Sequence, residues 1–271
     1  MSKLEDFKAQ PAPYAPKRQF QELQPDTSIT HHCKIHGDFH PLIVSHPICP
    51  ECGMKVIEAE RLEEKRRWQE QSDKEWYAAA NLPILHQTSG FKNYLTDLDG
   101  QIYAKSVAKA YAKKLQAGHS GNLVILGTTG TGKTHLACAI ARTLMHLSGT
   151  AKPIFTKYAI SAEVVEDVLN AYKRKDDSKE GTLQRYASYG LLIIDEYGLD
   201  DNNNDAQTQA LHRVLYERYN AKRPTIIISN KTIADLKEQL GHRALSRLRE
   251  NGTLLRCVWA DQRATNSAWV E

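Results

Sequence analysis

Gly127-Thr128-Thr129-Gly130-Thr131-Gly132-Lys133-Thr134 is a G-x-x-x-x-G-K-T stretch. It follows the apolar run Asn122-Leu-Val-Ile-Leu126 and precedes His135 to Leu147, whose apolar residues recur at helical spacing. Strand, glycine-rich loop and helix in that order predict a phosphate-binding loop. The glycines let the chain curl so that successive N–H groups point inward at phosphates, and the following helix adds the positive end of its dipole. Gly127 through His135 are therefore the candidate nucleotide-binding residues. Lys133 is placed to reach the β and γ phosphates of ATP, and Thr134 to offer its hydroxyl to Mg²⁺. A glycine-rich turn without a ligand is the bland alternative, and the flanking strand and helix count against it.

About 60 residues on, Tyr189-Gly-Leu-Leu-Ile-Ile194 is a continuous apolar run ending in Asp195-Glu196. A run apolar on both alternations suits a central parallel strand that delivers two carboxylates to the carboxyl edge of a sheet. Asp195 is the candidate for the Mg²⁺ coordination sphere and Glu196 for polarising the water that attacks the γ phosphate. A third run, Pro224-Thr-Ile-Ile-Ile-Ser229, ends in Asn230, which can bond the γ phosphate or that water. Its alternative is to cap the helix starting near Thr232 to Asp235. In Gly241-His-Arg-Ala-Leu-Ser-Arg-Leu-Arg249, Arg243 and Arg247 stand four apart and share a helix face. Charged, forked guanidinium suits a phosphate contact made across a subunit interface, and a solvated basic face is the alternative. Arg263, past the strand-like Leu254 to Trp259, is the candidate for a phosphate contact within the subunit.

These motifs together resemble the DnaC-type replicative-helicase loaders, which are AAA+ ATPases related to the initiator ATPase and to transposition helper ATPases. The loop, Leu191-Leu-Ile-Ile-Asp-Glu196, Lys222-Arg-Pro-Thr-Ile-Ile-Ile-Ser-Asn230 and the Gly241 to Arg249 pattern carry the likeness. Phe91-Lys-Asn-Tyr94 and a helix from about Gln101 to Gln116 extend it over roughly residues 82 to 265. The resemblance implies that Arg247 is the arginine finger in trans, that Arg263 is the second sensor, and that the ATP-bound chain forms a homo-oligomer. It implies an ATP-hydrolysing switch that loads a DnaB-type helicase onto single-stranded DNA, slow unless its partners stimulate it. From the same resemblance, Lys173, Arg174 and Lys175 are expected to contribute to DNA contact. One rival is a transposition helper that forms ATP-dependent filaments on duplex DNA; the other, a zinc-dependent interaction module with a vestigial ATPase, is disfavoured by the intact Lys133, Asp195 and Glu196.

Upstream, Cys33-x-x-His36 and Cys49-x-x-Cys52 are two ligand pairs separated by 12 residues. Gly37 and Gly53 follow where tight knuckle turns would need them. Zn²⁺, disulfides and incidental cysteines are the three readings. The spacing favours a tetrahedral Zn²⁺ site, with His32, His40 and His46 as competitors of His36. The absence of a secretory segment predicts a cytoplasmic, reducing setting, which disfavours disulfides. Cys138 and Cys257 read as buried small residues. The resemblance assigns helicase contact to residues 1 to 90.

The expected organisation is an extended or disordered tail (1–28), a zinc-knuckle module (29–56), a helical linker (57–81) within a charged helix from Met54 to Asn81, and an α/β AAA+ domain (82–271). The domain's mostly parallel sheet, flanked by helices, has strands near 122–126, 153–157, 190–194, 224–229 and 254–259. The 271 residues are 41% hydrophobic and can bury one good core plus an appendage, with no apolar run long enough for a membrane. The net charge of +4 sits at the end of the chain: residues 206–271 hold 11 Lys and Arg against 6 Asp and Glu, a bias that fits phosphate contacts.

Overall fold

The computed structural model describes residues 24–146, 154–173, 179–198 and 205–262. Residues 1–23 of the expected tail (1–28), Arg174, Lys175 and Arg263 lie outside these residues, as does the side chain of Lys173. The chain divides into two compact units, Met1–Lys74 and Glu75–Glu271.

In the first unit a hairpin joins β1 (His31–Cys33) to β2 (Gly37–Phe39), with Cys33 opposite Gly37. Gly37 turns the chain at φ +79°, in the left-handed region that suits glycine. Helix α1 (Pro50–Ala80) follows. Proline as its first residue has a preset φ and lacks only an N–H that would be unpaired there anyway. The amide of Gly53 bonds the Cys49 carbonyl at 2.8 Å, which makes Cys49 the residue on which the helix starts. The second ligand pair therefore lies on a helix start, and Gly53 is helical. This corrects the knuckle turn expected there, and α1 begins four residues before Met54. The unit boundary falls inside α1, and Trp76 and Ala80 of its last turns are buried in the second unit's core.

The second unit carries five parallel strands, β3 (Leu123–Gly127), β4 (Thr156–Ile160), β5 (Leu191–Asp195), β6 (Thr225–Ser229) and β7 (Thr253–Cys257). Their order in the sheet is β4-β5-β6-β3-β7. The helices are α2 (Asp99–Gln116), α3 (Lys133–Met145), α4 (Ser161–Lys173), α5 (Lys179–Ser188), α6 (Asp205–Asn220) and α7 (Ile233–Arg249).

Both sheet faces are covered, which is why the strands read as unbroken apolar runs. Leu123, Ile125, Leu191, Ile193, Ile226 and Ile228 pack on one side with α2 and α3. The alternate residues Val124, Leu126, Leu192, Ile194 and Ile227 pack on the other with α4 to α7. Cys138 and Cys257 are buried in the first of these layers, as expected. One strand is displaced from its expected place: β4 covers Thr156–Ile160 rather than 153–157, its Thr156 facing Leu191 and its Ile160 facing Asp195. Tyr158 and Ala159, not Ile154 and Phe155, carry the sheet's alternation there.

Candidate functional site

In the first unit the ligand atoms of Cys33, His36, Cys49 and Cys52 all lie within 4.8 Å of one another. Cys33 Sγ is 3.8 Å from Cys52 Sγ. His36 Nδ1 lies 3.7, 3.5 and 3.3 Å from the sulfurs of Cys33, Cys49 and Cys52. Tetrahedral Zn²⁺, with Zn–S near ~2.3 Å and Zn–N near ~2.05 Å, sets its ligands about 3.8 Å (S to S) and about 3.6 Å (N to S) apart. The cluster fits that ion. The outward His36 Nε2 lies 3.3 Å from both Glu51 Oε2 and Lys55 Nζ, so charged groups of both signs meet the imidazole on the side away from the sulfurs. The competing histidines are engaged elsewhere: His32 with Asp38 at 2.7 Å, His40 with the Ile29 carbonyl at 2.9 Å, and His46 with Ser45 at 3.1 Å. Amides of Ile35 and His36 at the hairpin turn pull the Cys33 thiol down to about 6. Burial and the neighbouring Cys33 push Cys52 up to about 11, since without an ion two thiolates repel.

In the second unit the loop after β3 carries glycines where a side chain would be strained. Gly130 and Gly132 have φ of +73° and +80°, and Gly132 is the residue on which α3 starts. A Cβ on Gly132 would lie 2.9 Å from the Tyr94 ring, and one on Gly130 would lie 1.5 Å from Asp261. The segment after β7 closes over the loop from the other side. Trp259 Nε1 donates to the Thr131 carbonyl at 3.1 Å, and the Gln262 amide to that of Gly130 at 3.1 Å. Lys133 is folded onto the loop, its Nζ 2.8 Å from the Gly127 carbonyl and 2.6 Å from that of Thr128.

Because β6 lies between β3 and β5, its end meets both the loop and the two carboxylates. Thr134 Oγ1 donates to Asp195 Oδ2 at 2.8 Å, so a hydroxyl and a carboxylate converge where a hard cation would be held. Tyr158 OH donates to the same oxygen at 2.9 Å, and the Glu196 amide bonds Oδ1 at 2.7 Å. Burial and the Asp195 charge raise the Tyr158 hydroxyl well above its ordinary value, keeping it a donor. Glu196 has φ +57°, a left-handed backbone at a non-glycine residue, and its carbonyl accepts from Ser161 Oγ at 3.0 Å. Asn230 does not cap α7. Thr232 does, accepting from the Asp235 amide, while Asn230 lines the cavity with Lys133, Thr134, Asp195 and Glu196.

That cavity, of about 290 Å³, is also lined by His86, Asn93, Tyr94, Gln101 and His135, which no motif had assigned to it except His135. His135 Nε2 meets the Gly90 carbonyl at 3.0 Å. The Tyr94 hydroxyl is buried without a hydrogen-bond partner among the described residues. An aromatic residue shortly before the helix that precedes the loop strand was the available signal.

Arg247 and Arg243 are not at this cavity. Arg247 lines a second hollow, of about 490 Å³, together with Asn122 and Thr225, residues at the start of β3 and β6. A five-residue strand spans about 16 Å, so Arg247 stands at the sheet edge opposite its own loop. Arg243 is exposed on the same helix segment. These two arginines are separate from the loop, the carboxylates and Asn230, which the fold brings together.

Residues 54–248 match the family described as IstB-like ATP binding protein. The chain belongs to that family. As an IstB-like protein it is similar to the replicative helicase loader DnaC of Escherichia coli strain K12, 29% identical over 170 residues, which cover 63% of this chain and 66% of DnaC. The matched region thus spans just under two thirds of that relative. It is also 32% identical over 171 residues, 62% of its length and 64% of the other's, to the uncharacterized protein YdaV of the same strain. The crystal structure of the DnaC helicase loader matches with a TM-score of 0.58 at 21% identity, covering 65% of this chain and 99% of that one. Over the matched region the IstB-like protein therefore shares the fold of that structure. Among its described residues, no helix is long and apolar enough to cross a membrane.

Proposed function

We propose that this chain is an ATP-hydrolysing switch that loads a replicative DNA helicase onto single-stranded DNA. The observation that supports it best is the meeting of the Thr134 hydroxyl with the Asp195 carboxylate beside Lys133, in a chain similar to loaders named DnaC. In this mechanism Lys133 leaves the Gly127 and Thr128 carbonyls for the β and γ phosphates of ATP. Thr134 and Asp195 would hold Mg²⁺, which neutralises charge on the phosphates. Glu196 polarises the attacking water and Asn230 orients it. Arg247 reaches the γ phosphate of a neighbouring subunit, and Arg263 the phosphates of its own. Residues Cys33, His36, Cys49 and Cys52 would hold Zn²⁺, whose chemistry here is to fix a fold. The zinc unit and α1 contact the helicase.

Capture of a hexameric replicative helicase by the ATP-bound chain, lost after zinc chelation, is the expected result. Failure of capture together with ATP-dependent binding to duplex DNA would instead make the chain a transposition helper. Lys133→Ala is expected to abolish ATP binding in equilibrium titration. Arg247→Ala is expected to bind ATP normally and lose the turnover that assembly stimulates. Equal ATP affinity of wild type and Lys133→Ala would overturn the site assignment.

A further inference from the structure

Arg247 is held by two aromatic rings. Its guanidinium carbon lies 4.7 Å from the centroid of Tyr216 and 5.1 Å from that of Tyr219. The two tyrosines are one helical turn apart on α6 and so share a face. Tyr219 is fixed in turn, its hydroxyl donating to Glu250 Oε2 at 2.6 Å just beyond the end of α7. Among the described residues no carboxylate lies within ion-pair distance of Arg247, and no ring holds Arg243 in this way.

Guanidinium held against ring faces keeps its charge and leaves its edge N–H groups open to an anion. A salt bridge would neutralise it, and free solvent would let its rotamers scatter at an entropic cost on each contact. Both tyrosines are 38–44% exposed, so the clamp lies at a surface that a second copy of this chain can approach. Arg247 lies on the piece of α7 that follows the non-helical Gly241.

We propose that Tyr216 and Tyr219 are positioning residues that present Arg247 to the triphosphate bound by a second copy of this chain. The inference rests on the trans contact proposed above. It adds that the contact depends on a preset arginine geometry, and it selects Arg247 over Arg243 on that ground.

Mixed-subunit ATP turnover tests it. Full-length Glu196→Gln chains, which keep Arg247 but lack the polarising carboxylate, are titrated into full-length Arg247→Ala chains, and rescue of turnover is measured. Rescue reports only Arg247 offered from one chain to another. Adding Tyr216→Leu or Tyr219→Leu to the Glu196→Gln chain is expected to lower rescue about two- to fivefold each, and about tenfold together. Tyr216→Phe, which keeps the ring, is expected to rescue fully, and this separates loss of the clamp from loss of fold. Undiminished rescue by the leucine variants would overturn the clamp and leave the trans contact standing. Higher rescue would show that the rings park the arginine instead, which also overturns it. No rescue by the Glu196→Gln chain itself would overturn the trans contact, and the clamp with it.

Discussion

Asp195 accepts three hydrogen bonds, from Thr134 and Tyr158 on one oxygen and from the Glu196 amide on the other. A buried carboxylate needs such partners, because an ionised group taken out of water without them costs several kcal/mol. Tyr158 is the partner with no role toward phosphate, so Tyr158→Phe isolates the orienting bond. A hydrogen bond to a charged group contributes about 1.5–3 kcal/mol, and the variant is expected to lose about that much stability in urea titration. An unchanged midpoint would mean the bond is not kept in solution. The meeting of Asp195 with Thr134 beside Lys133 was legible in the sequence because a G-x-x-x-x-G-K-T loop after one apolar run and an Asp-Glu pair after another point to the same carboxyl edge of a parallel sheet. Tyr158 was not, because a tyrosine in a strand carries no motif and reaches Asp195 only through the pairing of β4 with β5. Trp259 and Gln262 likewise meet the loop only because β7 lies beside β3.

Helix α7 is two helical pieces joined at Gly241, whose φ of 67° and ψ of 163° belong to a region that glycine occupies almost alone. A Cβ there would meet nothing within 4 Å, so the cost of Gly241→Ala is conformational and not steric. It is expected to be about 1–3 kcal/mol in chemical denaturation, with a matching loss of Arg247-dependent turnover. Restored stability without restored turnover in a suppressor elsewhere in α7 would locate the function in the kink itself.

His212 on α6 faces this kink, its Nε2 buried and without a hydrogen-bond partner among the described residues. Burial lowers its pKa from 6.5, while the carbonyls of Gln239 and Leu240 pull the other way. The unfolded chain therefore takes up the proton first, so stability falls as pH drops below about 6.5. His212→Gln is expected to flatten part of that slope below pH 6.5, read from melting temperatures. Sequence marked Gly241 as part of a pattern without showing the bend, since the helical residues on both sides of it look continuous. The shift of β4 has a similar origin: Ile154 and Phe155 are stronger strand formers than Thr156 and Lys157, and pairing to β5 overrides that preference.

At the scale of the molecule, two units stand on different energetics. The second buries two apolar layers around a sheet. Among the described residues of the first, only Pro41, Cys49 and Ser72 are buried, while Ile35, Ile43, Ile48 and Met54 are exposed. So little apolar burial cannot offset the entropy of ordering a hairpin and a helix start. A structural Zn²⁺ site contributes about 10–16 kcal/mol at neutral pH, which can. Zinc removal is therefore expected to act on one unit alone. After chelation, or in Cys52→Ala, amide exchange over residues 31–53 should rise to the unprotected rate. The strands of the second unit should keep their protection and ATP its affinity. Metal analysis should find about one zinc per chain before treatment and none in Cys52→Ala. Protection of residues 31–53 that survives chelation would mean that the hairpin and the start of α1 are held by something other than metal. A parallel loss of ATP affinity would mean that the two units are coupled, and that the loss of helicase capture on chelation cannot be assigned to the zinc unit alone.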